Sequence, residues 1–172
     1  MTRFSLVLIF LALAALSGWR AHDAFSAAGL VAGQEEAWAA RATGDPQPFA
    51  SPLRLSALAD RALRADPPEP DLAAAALERA LAAEPRDGEA WARLAHARLI
   101  AGAPEESVVL ALEASYARMP VAKRDFRRWR LQLAASAWTT LPAPLRTQVL
   151  AEASRERLYW LAEYAPILAA EI

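Results

Sequence analysis

The feature that most constrains this chain is an uncharged hydrophobic run near its start. After Met1–Arg3, the sequence FSLVLIFLALAALSGW extends from Phe4 to Trp19, and the next charged residue is Arg20. Its length falls between the roughly 7–15 apolar residues of a signal-peptide core and the roughly 17–25 of a membrane-spanning helix. Residues 1–20 are therefore predicted to be a signal anchor or signal peptide that contacts the lipid bilayer through residues 4–19.

The residues at the end of this run are compatible both with cleavage of the segment and with its retention as an anchor. Ala15 and Ser17 are small residues at the spacing that signal peptidase prefers. Trp19 and Arg20 instead look like the interfacial anchor of a retained helix. With Arg3 on the cytoplasmic side, the predicted product is a single-pass inner-membrane protein with a periplasmic C-terminal domain, or an exported protein after cleavage.

Composition predicts an all-α fold for the rest of the chain. Hydrophobic residues make up 55% of the sequence, Ala and Leu dominate, and there are only 6 Gly, which favours helices over strands. Residues 21–50 are predicted to be a juxtamembrane helix and a linker, because Gly44, Asp45, Pro46 and Pro48 interrupt the helical pattern. Residues 51–172 are predicted to form a helical repeat domain.

Cysteine content and net charge exclude several classes of function. The chain has no Cys, which excludes a disulfide framework, a thiolate metal site and a CxxCH haem attachment. Its formal net charge of −1 does not indicate a nucleic-acid-binding protein. We predict no cofactor and no metal site.

Two helices are predicted at the start of the repeat domain. Ser51 followed by Pro52 is a favourable helix start, and Leu53–Ala65 carries apolar residues at helical spacing. Asp71 is predicted to cap a second helix that ends before Pro85.

The next pair, from Glu89 to Pro120, contains a set of widely spaced aromatic, apolar, small and turn residues: Trp91, Leu94, Ala95, Gly102, Ala111, Ala114 and Pro120. In residue type and spacing these positions resemble the tetratricopeptide repeat. Ser107 and Arg98 depart from the residue types usual in that motif. The resemblance implies helical hairpins that stack and bind partners.

A step of 34 residues back from Trp91 places Ala57 at the tryptophan position and Ala73 and Ala80 at small-residue positions. A third pair is predicted from a helix over 121–139, a break at LPAP and a second helix from Leu145 to about Tyr164. The expected architecture is an N-terminal hydrophobic helix followed by about three stacked hairpins.

The C-terminal quarter, RRWRLQLAASAWTTLPAPLRTQVLAEASRERLYW, resembles small membrane-anchored tetratricopeptide-like proteins of bacterial exopolysaccharide synthesis and export. This resemblance implies a role in surface-polysaccharide assembly.

The strongest cluster of charge is KRDFRRWR, from Lys123 to Arg130. At helical spacing Phe126 and Trp129 fall on the buried side. The cations predicted to spread over the other side are Lys123, Arg124, Arg127, Arg128 and Arg130. This is either a solvated face paired with Glu152, Glu156 or Glu163, or a surface for an anionic lipid, an acidic glycan or an acidic partner helix.

Arg93 and His96 complete the candidate site because they lie on the first helix of the best repeat, where this fold generally presents a concave groove. The predicted partner-binding residues are Arg93, His96, Lys123, Arg124, Arg127 and Arg128. No reaction centre is predicted: adjacent glutamates at 35–36 and 105–106 point to different sides of a helix, and no GxSxG motif or phosphate-binding loop is present.

The sequence therefore predicts a non-enzymatic adaptor that binds protein partners of an envelope complex. One alternative is a glycan-binding or glycan-modifying protein, which requires exposed Trp side chains around a carboxylate. We expect most of the Trp side chains after residue 50 to lie in the core instead. A second alternative, an assembly factor for respiratory or cytochrome biogenesis, shares the same architecture.

Overall fold

A computed structural model describes residues 51–172 of the chain. The predictions for the hydrophobic segment (residues 1–20) and for the juxtamembrane helix and linker (residues 21–50) lie outside the described residues. The described part is 75% helix and contains no strand, which confirms the all-α class there. The chain divides into two compact units, residues 1–83 and 84–172.

The described part of the first unit is one pair of helices, α1 (Pro52–Arg64) and α2 (Pro70–Ala83), which contact each other along their length. Ser51 begins α1 as predicted, because its Oγ accepts a hydrogen bond from the Arg54 backbone N–H at 3.2 Å. The prediction that Asp71 caps α2 is wrong. Because α2 already starts at Pro70, Asp71 lies inside its first turn. A carboxylate in this position interacts favourably with the helix dipole.

The second unit begins with the α3/α4 hairpin, formed by α3 (Gly88–Ile100) and α4 (Glu105–Arg118). Asp87 caps α3 by accepting backbone hydrogen bonds at 2.9 and 3.0 Å. Gly88 lies against the end of α4: a Cβ there would be 2.7 Å from Met119 Cβ. Glycine is therefore what allows the two helices to approach at this point.

The turn between α3 and α4 depends on Gly102, which has a φ of 66°. The Ala103 N–H donates to the Arg98 carbonyl at 2.9 Å, and the Gly102 N–H donates to the Leu99 carbonyl at 3.2 Å. These are the two hydrogen bonds of a Schellman motif, which satisfies the last carbonyls of α3. The glycine that the sequence motif places between the two helices is thus the residue that ends the first of them.

Helices α2 and α4 bury corresponding positions. The buried residues are Ala73, Ala76, Leu77, Ala80 and Leu81 in α2, and Val108, Ala111, Leu112, Ser115 and Tyr116 in α4. Each residue of the second set follows its counterpart by 35 positions. The step of 34 residues expected from the sequence is therefore one residue short.

The rest of the second unit consists of shorter elements than expected. They are α5 (Arg124–Ser136), a 3-10 turn (Trp138–Thr140), α6 (Ala143–Ala153), α7 (Leu158–Tyr164) and α8 (Pro166–Ala169). The predicted helix over 121–139 starts later and ends earlier, and the predicted helix from Leu145 to Tyr164 is two helices. The simple third hairpin is thus not observed.

The break between α6 and α7 has a local cause. The Arg155 N–H donates to the Glu152 carbonyl at 3.2 Å and the Glu156 N–H to the Ala153 carbonyl at 2.8 Å. These bonds tighten the end of α6 into a turn. Helix α7 then starts at Leu158, and α8 packs against both α7 and α5.

The interior of the second unit is built from side chains of every helix in it. Leu112, Leu131, Val149 and Leu168 are fully buried, from α4, α5, α6 and α8 respectively. No helix within residues 51–172 has the length and the hydropathy needed to cross a bilayer.

Candidate functional site

Arg93 and His96 lie on α3 as expected, but each already has a contact within the chain. Arg93 Nη2 is 3.5 Å from Glu89 Oε2, one turn earlier on the same helix. The half-buried His96 ring meets the edge of the Trp129 ring, with centroids 5.4 Å apart. Burial lowers the pKa of His96 below its ordinary value, so the neutral ring is favoured at this position.

Lys123 and Arg124 stand at the start of α5 and are exposed. Lys123 occupies the N-cap position, and its side chain makes no capping hydrogen bond. Among residues 51–172, neither side chain forms a salt bridge. These two cations therefore meet the expectation of a solvent-facing positive surface, which we call the cationic edge.

Arg127 and Arg128 are held differently, because both bind Glu156. The Nε of Arg127 donates to Glu156 Oε1 at 2.8 Å, and the Nε of Arg128 donates to Oε2 at 2.9 Å. The guanidinium of Arg128 also lies over the Trp160 ring, 4.8 Å from its centroid. This confirms the pairing with Glu156 that the sequence allowed.

Glu156 is well matched to these two arginines. Only 2% of its side chain is exposed. That burial opposes ionisation, but the hydrogen bonds and charges of Arg128 and Arg127 outweigh it and lower the pKa of Glu156. The Glu156 charge thus offsets part of the positive charge that the sequence placed on this face.

Arg130 does not lie on the solvated face, and that prediction is wrong. Its relative exposure is 0%. Its Nε and Nη2 donate to the two carboxylate oxygens of Glu152, and its Nη1 donates to the Met119 carbonyl at 3.0 Å. The guanidinium also lies over the Tyr116 ring, 4.0 Å from its centroid. The bidentate partner and the aromatic face together compensate for burying the charge.

Ser115 extends this buried cluster to the start of α3. Arg130 Nη1 donates to Ser115 Oγ at 3.3 Å, and Ser115 Oγ donates to the Gly88 carbonyl at 2.8 Å. With Glu152 on α6, a single connected network therefore joins α3, α4, α5 and α6. We call these residues, Gly88, Ser115, Arg130 and Glu152, the buried polar network.

Sequence reasoning missed this network, although the sequence contains a signal for it. Arg130 follows Phe126 by one turn and precedes Leu133 and Ala134 by another, which places it on the apolar face of α5. Glu152 lies similarly beside the buried Val149 of α6. Opposite charges on the apolar faces of two consecutive helices are the pattern that predicts a buried pair.

A groove lies between α4 and α6, with a volume of about 320 Å³. Its lining residues are Tyr116, Ala117, Pro120, Gln148, Ala151, Glu152 and Arg155. We call it the α4/α6 groove. Burial, and then the nearby Glu152 charge, raise the pKa of the Tyr116 hydroxyl, so this phenol stays protonated.

Two other cavities have less distinctive linings. A groove of about 380 Å³ beside the start of α4 is lined by Glu105, Glu106, Val109, Leu110, Thr140 and Pro142. A smaller cavity of about 90 Å³ lies within the first unit, between Leu58 and Leu72. Neither contains a Trp, and neither does the α4/α6 groove.

The Trp side chains are only partly where we expected them. Trp138 and Trp160 are buried, whereas Trp91 and Trp129 are half-buried. Trp91 Nε1 donates to the Pro85 carbonyl at 3.0 Å, and Arg118 covers its ring at 5.1 Å. Each half-buried indole therefore already has a ring contact within the second unit.

The described residues contain no group of three or more His, Asp or Glu side chains arranged to hold a metal ion. Comparisons with protein-family models, with curated proteins and with solved structures find no match to this chain.

Proposed function

We propose that this protein is a non-enzymatic adaptor of the tetratricopeptide type, tethered to or exported across a bacterial inner membrane, that binds a protein partner of an envelope assembly. The observation that carries the proposal is the recurrence of five buried positions in α2 and α4 at a constant spacing of 35 residues. Such recurrence is what a helical repeat requires, because each hairpin has an apolar face that a neighbour must cover. The resemblance of the C-terminal quarter favours surface-polysaccharide synthesis or export as the setting.

The cationic edge is the part of the predicted site best suited to a partner. Lys123 and Arg124 are exposed and form no salt bridge within residues 51–172. Arg127 and Arg128, in contrast, bind the nearly buried Glu156, which gives them a supporting role. A partner that meets this edge must carry acidic groups, since charge complementarity governs how such surfaces associate.

The adaptor proposal predicts that envelope proteins cross-link to the full-length chain in its native membrane and that charge reversal at the edge prevents it. In the Lys123→Glu/Arg124→Glu variant we expect capture to fall about tenfold or more, because attraction becomes repulsion. The measurement is quantitative mass spectrometry of the cross-linked partners.

The matched control is Arg86→Glu/Arg157→Glu, which reverses the same number of charges at exposed positions of the second unit. Capture should be unchanged in the control. Equal capture by wild type and by the Lys123→Glu/Arg124→Glu variant would remove the cationic edge from the proposal. Failure to capture any protein reproducibly would count against an adaptor.

The glycan-binding alternative needs an open cleft that presents indole rings and a carboxylate. Two observations favour the adaptor over it: Trp138 and Trp160 are buried, and Arg118 lies over the half-buried Trp91. The assembly-factor alternative has the same architecture, so the identity of the captured partner distinguishes it from a role in polysaccharide export.

The proposed location has its own test. N-terminal sequencing of the mature protein should find Met1 if residues 4–19 remain as an anchor, or Gly18 if they are cleaved after Ser17. Protease added outside the inner membrane should digest the C-terminal domain in either case. Protection of that domain would contradict the proposed orientation.

A further inference from the structure

The α4/α6 groove is lined by two long polar side chains, Gln148 and Arg155, and by small apolar residues. Gln148 and Arg155 are seven positions apart along α6 and the turn that follows it, which corresponds to about 10 Å along a helix at 1.5 Å per residue. Ala117, Pro120 and Ala151 are the small apolar residues of the lining. Small residues leave room for another backbone to come close.

Arg155 is the one cation in the lining of this groove. Glu152 is the one carboxylate in its lining, and Arg130 already engages both of its oxygens. Arg155 is exposed and forms no salt bridge within residues 51–172. An occupant of the groove therefore meets the uncompensated charge of Arg155 rather than that of Glu152.

Tyr116 forms a neutral part of the same wall. The residue is only 4% exposed, and burial together with the neighbouring Glu152 carboxylate raises the pKa of its hydroxyl. The phenol therefore adds no charge to the groove.

We propose that the α4/α6 groove binds a short, extended, acidic peptide segment of the protein partner. About three extended residues span 10 Å at roughly 3.3 Å per residue, which places a side-chain carboxylate at Arg155 and a backbone amide at Gln148. A small inorganic anion would use Arg155 and leave the apolar wall empty, and a flat membrane surface cannot enter a groove. The assignment rests on the proposed adaptor function, since it names the chemistry of that partner.

The test uses the full-length chain in mild detergent and three fluorescein-labelled peptides that differ only in their last residue. They are Gly-Gly-Ala-Ala-Glu-amide and its matched forms ending in Gln-amide and Lys-amide. Fluorescence anisotropy titrations should show that the Glu peptide binds about tenfold more tightly than the Gln peptide, because a charged hydrogen bond is lost in the latter. The Lys peptide should bind most weakly.

Two variants locate the binding. Arg155→Glu should reverse the order so that the Lys peptide binds best, and Ala151→Trp should weaken all three peptides by filling the groove. The matched control Arg157→Glu reverses an exposed charge outside the groove lining and should keep the wild-type order. Circular-dichroism melts of each variant confirm that it is folded.

Equal binding of the Glu and Gln peptides, no measurable binding of any peptide, or an unchanged order in Arg155→Glu would each overturn the groove assignment. These results are separable from failure of the adaptor function. If the peptides do not discriminate while reversal of the cationic edge still abolishes partner capture, the groove assignment is wrong and the adaptor proposal stands.

Discussion

The α3/α4 hairpin and the α5/α6 pair, both in the second unit, are held together by different kinds of contact. The hairpin uses small neutral residues: Gly88 lets α3 approach Met119, and Gly102 forms the turn. The α5/α6 pair is joined through a fully buried ion pair between Arg130 and Glu152. We therefore expect the α3/α4 hairpin to be sensitive to side-chain size at its two glycines, and the α5/α6 pair to depend on the pairing of buried charges.

Among the variants considered, the largest loss of stability is expected when the buried ion pair is broken. We expect Arg130→Met to lower the free energy of unfolding by about 3–5 kcal/mol, because Glu152 is left buried without its counterion. The measurement is urea unfolding of the full-length chain in detergent, followed by the fluorescence of the Trp side chains, four of which lie in the second unit.

Two further variants show whether charge is responsible. Arg124→Met, at an exposed position of the same helix, should change stability by no more than about 0.5 kcal/mol. The double variant Arg130→Met/Glu152→Leu should recover most of the loss, since apolar residues often replace a buried pair without cost. A double variant as unstable as the single one would show that packing, not charge, explains the effect.

Within the neutral hairpin, Gly88→Ala should have the next largest effect. The added methyl would lie 2.7 Å from Met119 Cβ and 3.3 Å from the Ser115 carbonyl oxygen, so α3 and α4 must move apart. A loss of about 1–3 kcal/mol is expected in the same unfolding assay. The variant should also weaken the hydrogen bond from Ser115 Oγ to the carbonyl of residue 88, which faster amide exchange at the start of α3 would reveal. A neutral substitution would contradict the close approach.

Gly102→Ala should cost less, about 1 kcal/mol, and by another mechanism. Nothing lies within 4 Å of a Cβ at this position, but its φ of 66° is unfavourable for Ala. The expected loss therefore comes from backbone strain alone, and Gly102→Asn should recover part of it because Asn tolerates this region. Equal unfolding free energies for wild type and Gly102→Ala would show that the turn relaxes without cost.

The smallest predicted effect is the pH response of His96, where α3 meets Trp129 of α5. Because the pKa of His96 is lowered by burial, the unfolded chain binds the proton more tightly than the folded chain. The contribution of His96 to the free energy of unfolding is therefore fully present above its ordinary pKa of 6.5. It is lost as the pH falls through the lower pKa of the folded state. His96→Phe should lack this part of the pH profile.

Unfolding free energies measured at several pH values test that prediction. The response of Glu156 does not interfere, because its pKa is held below the ordinary value of 4.5 and its contribution is lost only in more acidic solution. Identical profiles for wild type and His96→Phe near pH 6 would show that this ring does not titrate between the folded and unfolded states.

Much of the helical organisation follows from local sequence. The start of α1 at Ser51 and Pro52, and the glycine turn after α3, were predicted because caps and turns depend on residues a few positions apart. The third hairpin was predicted incorrectly because the turn after α6 has no Pro or Gly to mark it. Its 3-10 hydrogen bonds form between residues that are compatible with a continuing helix.

The candidate site was predictable in composition but not in arrangement. The six chosen residues are all of basic type, yet among them only Lys123 and Arg124 combine exposure with the absence of a salt bridge within the described residues. Arg127 and Arg128 differ from that pair because each binds Glu156, which lies 28 or more positions later in the sequence. Helical spacing identifies which residues share a face, but it does not identify what the next helix brings to that face.

The sequence by itself determined that residues 51–172 form helices, and it determined where α1 and α3 end, because propensity, capping and glycine turns act over a few residues. The tertiary structure alone decided which arginines face solvent and which become internal partners of Glu152 and Glu156. It also decided the true 35-residue spacing and the presence of the α4/α6 groove. The physical reason is that burial and pairing of charge depend on contacts between helices, which the order of residues along one helix does not specify.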